Sequence, residues 1–162
     1  MHTSAVETAG EFQAKAVLLY NIINFTRWPD NTFQNETSAF NICILGDDPY
    51  SAIFAQMSDR KVKGRSLKTR QLKTRANAQA LQGCHILIIR LLKPSDFLRF
   101  TELSRSLSIL SVSDQNNDRP AIAMINLSIE RSSISFSVNR SAANNAQIDF
   151  SSQMLRLASQ VN

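Results

Sequence analysis

Six side chains in this chain combine reactive chemistry with a place beside apolar runs: Cys43, Cys84, His85, Asp47, Asp48 and Asp114. Cys43 lies inside the run 39–45 (AFNICIL), and Cys84 opens the run 84–91 (CHILIIRL). Adjacent strands of one sheet would bring the two sulfurs within bonding reach. A bond there would close a loop of about forty residues and, on chain entropy, contribute on the order of 4 kcal/mol. The alternative is two reduced, buried cysteines acting as small hydrophobes. There is no C-x-x-C, and the only histidines are His2 and His85. That pattern argues against a metal centre or a thioredoxin-like redox site, and no cofactor is expected.

Asp47 and Asp48 follow one strand-like run and Asp114 follows another. Such carboxylates suit a cation pocket of the receiver type, or a small ligand in the crevice at the carboxyl ends of parallel strands. A receiver also needs an aspartate at the end of its middle strand, and CHILIIRL supplies none. The plainer reading is that Asp48 caps a helix opening at Pro49 while the other carboxylates are solvated. Asp47, Asp48 and Asp114 are the candidate ligand-binding set. The four glycines, Gly10, Gly46, Gly64 and Gly83, form neither G-x-G-x-x-G nor a Walker loop, and G-x-S-x-G is absent. His85, at the start of a buried strand, reads as a structural residue rather than a general base. No catalytic residue is assigned, and an enzyme is not expected.

The elements that would hold these residues follow from periodicity. In KAVLLYNIINFTRWP and the residues just before it, Phe12, Ala16, Leu19, Tyr20 and Ile23 share one helical face; Val17, Leu18, Ile22 and Phe25 widen it to most of the circumference. This predicts a helix buried on more than one side, with Lys15, Asn21 and Asn24 as polar interruptions and Pro29 as its end. Residues 1–10 read as a polar tail, with one domain over 11–162. Strands are expected at 39–45, 84–91 and 108–113, with helices from Asp48 to about Ser58, around Asn77 to Leu81, and after a Ser95 cap. A hairpin is expected over 121–129 and 133–138, then a short helix after Asn139 and a last one over 151–160. Strand-helix alternation followed by a hairpin predicts an α/β three-layer sandwich. Its mixed sheet has parallel strands first, an antiparallel hairpin near the C-terminus, and helices on both faces.

Charge is concentrated. Net charge is +5, yet Arg60, Lys61, Lys63, Arg65, Lys68, Arg70, Lys73 and Arg75 lie in one segment with no acid among them. Without those eight, ten basic residues face thirteen acidic ones. The segment suits plain solubility, or contact with an acidic protein or lipid surface. No aromatic is interleaved to stack on bases, so nucleic acid is not expected as a partner. Arg60, Lys61, Lys63, Arg65, Lys68 and Arg70 are the candidate partner-binding set. No apolar run approaches the roughly 20 residues that cross a bilayer. The opening MHTSAVETAG shows no secretory signal, so either the protein is cytoplasmic or a leader has been removed.

Five words in order, KAVLLYNIINFTRWP, FNICILGDDPY, LQGCHILII, LSVSD and SSQMLRLA, resemble the successive signatures of the YfiR family, from about Lys15 to Ala158. The resemblance implies a non-catalytic periplasmic repressor. Its partner would be the periplasmic sensor region of an inner-membrane diguanylate cyclase (YfiN in the best-known system), held inactive so that cyclic-di-GMP synthesis and biofilm formation are repressed. It further implies a homodimer and release by a YfiB-like outer-membrane lipoprotein. Family members carry cysteines in the ICILG and GCHIL words, so the resemblance implies a Cys43–Cys84 disulfide, which persists in an oxidising periplasm. Some relatives have a second pair in the later hairpin, where PAIAMINL has none, and a glycine pair where this chain reads Arg119-Pro120-Ala121. The alternative is a periplasmic small-ligand sensor for a nucleotide or amino acid.

Overall fold

A computed structural model describes residues 8–57, 59–114 and 122–162. In chain order the first elements are α1 (Ala9–Asn24), β1 (Thr26–Arg27), β2 (Phe40–Leu45), α2 (Ser51–Gln56) and β3 (Leu67–Leu72). Then come α3 (Ala78–Leu81), β4 (Ile86–Ile89), α4 (Pro94–Ser106), β5 (Leu110–Ser113), β6 (Ile125–Glu130) and β7 (Ser133–Val138). The chain closes with α5 (Arg140–Asn145), β8 (Asp149–Phe150), α6 (Ser152–Leu157) and β9 (Gln160–Val161). Seven strands form one sheet in the order β3-β2-β4-β5-β6-β7-β9, and β1 pairs with β8 in a separate two-stranded ladder.

The pairing from β3 to β6 is parallel, β6 and β7 form an antiparallel hairpin, and β9 returns parallel to β7. The expected mixed sandwich is therefore present. Side chains alternate across the sheet. Ile42, Ile44, Ile86, Ile88, Leu110 and Val112 face a core shared with α1, α2 and α6. Cys43, Leu45, Leu87 and Ile89 face a second core closed by Leu81 of α3 and by Phe97 and Phe100 of α4. Burial on both faces explains why β2 and β4 read as continuous apolar runs.

Several boundaries differ from the sequence reading. Helix α1 starts at Ala9, capped by the Thr8 hydroxyl accepting from the Glu11 amide. The expected tail over 1–10 thus includes two helical residues, while 1–7, with His2, lie outside the described residues. The helix ends at Asn24 rather than at Pro29, because β1 begins at Thr26 to meet β8. It is also buried on one side only: Val17 and Phe25 are exposed. Ser95 does not cap α4, whose cap position is Lys93 with Pro94 in the first turn. The last helix stops at Leu157, and residues 160–161 are spent on β9. The expected strand start at Ala121, the Arg119-Pro120-Ala121 approach and the Ser58 helix end lie outside the described residues.

One glycine is demanded by the fold. Gly46 has φ +97°, and a Cβ there would sit 2.6 Å from the Arg90 carbonyl oxygen. Only glycine lets the end of β2 pass this close to the end of β4, and that close approach shapes the site described next.

Candidate functional site

At the carboxyl ends of the parallel strands, three side chains meet on one carboxylate. Asp114 follows β5 and is 2% exposed; Arg90 follows β4 and is 1% exposed. The Asp114 carboxylate accepts from Lys15 Nζ at 2.8 Å, from Tyr50 Oη at 2.6 Å and from Arg90 Nη1 at 2.7 Å. Phe12 of α1 packs edge-on against the Tyr50 ring, with the Lys15 ammonium and the Arg90 guanidinium against its own ring. A buried carboxylate surrounded in this way is held ionised. Burial alone would raise its pKa, but the Lys15 charge and hydrogen bond, the Tyr50 hydroxyl and the Arg90 charge outweigh that and lower it.

The three candidate ligand-binding aspartates have different surroundings, although Arg90 lies against both Asp47 and Asp114. Asp114 is enclosed by Lys15, Arg90 and Tyr50. Asp48 accepts from the Tyr50 and Ser51 amides and from the Ser51 hydroxyl, so it caps the turn into α2. Asp47 is 71% exposed and lies 3.7 Å from Arg90 Nη2. The sequence reading treated Lys15 as a polar interruption and gave Arg90 no role. Their partner lies far along the chain, and only the apolar neighbours of Lys15 on its helix face hinted at burial.

A second cluster forms at the opposite end of the strands. His85 Nδ1 accepts from the Asn41 amide at 2.9 Å, and the His85 carbonyl accepts from the Trp28 indole at 3.0 Å. The imidazole stacks with Phe33 and Phe40, at centroid distances of 4.4 and 5.1 Å. Burial, then the nearby Arg65 charge, lowers its pKa from 6.5 to about 4. An imidazole neutral at pH 7 and fixed by a backbone donor is a structural member of the core, as expected from the sequence.

The cysteines are joined. Cys43 in β2 and Cys84 just before β4 form a disulfide with Cα atoms 5.8 Å apart. Arg70 of β3 lies over it, with Nη2 at 3.2 Å from Cys84 Sγ and 3.6 Å from Cys43 Sγ, and donates to the Gln82 carbonyl.

This divides the candidate partner-binding set. Arg70 is engaged with the disulfide. Arg65 donates to the Asn35 and Ser38 carbonyls and stacks on Phe33 at 3.8 Å. Lys63 sits over the Trp28 ring. Burial, then the Arg27 charge, lowers its pKa. Arg60, Lys61 and Lys68 are exposed and have no acidic partner among the described residues, and Lys73 and Arg75 continue that surface. Sequence reasoning grouped these cations by proximity in the chain. The structure separates cations engaged with the protein's own carbonyls, rings and disulfide from a strip of cations without such contacts.

A family model described as YfiR/HmsC-like matches residues 12–159. The chain belongs to the YfiR/HmsC-like family. No curated protein matches it significantly.

Two outcomes follow from these clusters. Asp114→Asn leaves Lys15 and Arg90 buried without their shared counter-charge and should lower unfolding free energy by about 3–5 kcal/mol. Lys15→Met should cost less, since Arg90 still balances the carboxylate; urea denaturation of both variants measures the difference, and equal small losses would contradict the geometry. For His85 the folded pKa lies below the unfolded value, so the unfolded chain binds the extra proton first. Stability present above pH 6.5 is lost as pH falls towards 4, on the order of 3 kcal/mol. His85→Asn, which can keep an acceptor for the Asn41 amide, should flatten that part of the stability-against-pH curve; an unchanged slope would show that His85 is not its source.

Proposed function

We propose that this protein is a periplasmic negative regulator of cyclic-di-GMP signalling. It binds the periplasmic sensor region of an inner-membrane diguanylate cyclase and holds that enzyme inactive, repressing biofilm formation. The observation that carries this reading is the family match over residues 12–159. The Cys43–Cys84 disulfide supports an oxidising compartment. Among the described residues, two polar clusters agree with a regulator: Asp114 is engaged by three protein donors, and His85 accepts from a backbone amide.

Regulation without chemistry is a population shift. A protein that binds the inactive conformation of a sensor region more tightly than the active one lowers output by its differential affinity. A tenfold fall requires a preference of about 1.4 kcal/mol. The exposed basic residues Arg60, Lys61 and Lys68 are the surface proposed to meet the partner, with Lys63, Arg65 and Arg70 beside them engaged in contacts within the protein. The protein acts as a homodimer, and a YfiB-like outer-membrane lipoprotein relieves repression by sequestering it.

Membranes carrying the full-length cyclase of the same organism, oriented with the sensor region accessible, test this directly. Adding the oxidised protein should lower cyclic-di-GMP formation from GTP in a saturable, dose-dependent way. Unchanged synthesis at every concentration, for each membrane cyclase with such a region, would overturn the proposal.

A further inference from the structure

The sheet has an open edge at β3, and that edge carries the basic segment. Among the described residues, strand β3 is hydrogen-bonded to β2 alone. The Ser66 carbonyl accepts from Phe40 and the Leu72 carbonyl from Gly46, so residues of even number turn their backbone groups towards β2. The amides and carbonyls of Leu67, Thr69 and Gln71 therefore point away from the sheet, since backbone direction alternates along a strand. Beside them stand Lys68, paired in register with Asn41, and the exposed Lys73 and Arg75 just beyond the strand. Gly46, Gln71, Leu72, Lys73, Thr74 and Arg75 line a crevice of about 560 Å³ at the strand's carboxyl end. The loop is held in place by Arg99, which donates to the Thr74 and Ala76 carbonyls at 2.6 and 3.0 Å.

We propose that β3 is a docking edge that takes an extended acidic segment of a partner protein as an added strand. Backbone pairing supplies the register, and Lys68, Lys73 and Arg75 supply selection for carboxylates. Charge decides between occupants. A second copy of this chain pairing edge to edge would bring Lys68 and Arg70 against their own equivalents, and like charges opposite one another are unfavourable. Nucleic acid would find no aromatic side chain between residues 60 and 75. An acidic strand meets both the unpaired backbone and the charge. Strand addition here deepens the proposed function, since it rests on the sensor region being the partner and names how that partner is held.

Two probes separate the ideas. Isotope-labelled protein is titrated with a short synthetic peptide alternating Glu and Val, and with its Lys–Val counterpart. The inference expects saturable binding of the acidic peptide only, with amide shifts and slowed exchange centred on Leu67, Thr69 and Gln71; shifts elsewhere, or none, overturn it. The cyclase sensor region is then titrated against wild type, Thr69→Pro, and Lys68→Glu combined with Lys73→Glu. Proline at Thr69 removes an outward amide without touching the β2 ladder, and the charge variant keeps the test sound should the proline variant fold poorly. Both should weaken sensor binding roughly tenfold or more. Sensor binding that survives both variants overturns strand addition and leaves the regulator reading intact. Peptide binding at β3 with no sensor binding overturns the regulator reading and leaves the edge site standing. Equal binding of DNA and acidic peptide, or self-association abolished by Thr69→Pro, would also overturn the assignment.

Discussion

The carboxylate of Asp114 is the point on which the arrangement of layers depends. It draws Lys15 from α1, Tyr50 from the turn into α2 and Arg90 from the end of β4 onto the end of β5. Such clusters add little net stability, because removing charges from water offsets most of their mutual attraction. Their effect is positional. With Lys15 seated, α1 has one rotation about its axis, which buries Ala16, Leu19, Ile22 and Ile23 and leaves Val17 exposed. With Arg90 seated, the chain leaves β4 close to Gly46, where only a glycine fits.

The opposite end of the sheet is fixed by different means. There the disulfide joins β2 to the turn before β4, while Arg70 reaches across from β3 onto the same sulfurs. His85 and its aromatic neighbours close the other face of that end. The strands are thus held by charge at one end and by a covalent bond with a stacked imidazole at the other. In both devices the polar side chains are engaged with other groups of the protein itself.

Much of the fold was legible because its central strands are apolar on both faces. The runs containing Cys43, Ile88 and Val112 became β2, β4 and β5, and the alternation of Ile134, Phe136 and Val138 with serines became β7. What escaped is what depends on distant contacts. Lys15 and Arg90 look like surface residues by type, and nothing local reveals that Asp114 will neutralise both. Strands β1, β8 and β9 are two residues each, too short for any periodicity, and exist because a neighbour offers an edge. For the cysteines, residue types left the bond open, and the family resemblance favoured it. The basic segment was visible as a block, but the engagement of Arg65 with the Asn35 and Ser38 carbonyls and of Arg70 with the disulfide, which sets them apart from Lys61, Lys68 and Lys73, required the fold. Asp48 was read as the cap of a helix opening at Pro49; the helix begins two residues later, at Ser51 with Tyr50 in the cap position, and Asp48 instead accepts from the Tyr50 and Ser51 amides in the turn before it.

The central claim is that this chain works by binding rather than by chemistry. Calorimetric titration of the oxidised protein into the purified sensor region of a membrane diguanylate cyclase from the same organism, at physiological salt, addresses it most directly. The account predicts a saturable isotherm whose affinity weakens as ionic strength rises, since exposed cations contribute to the contact. Absence of binding to every such sensor region would contradict it.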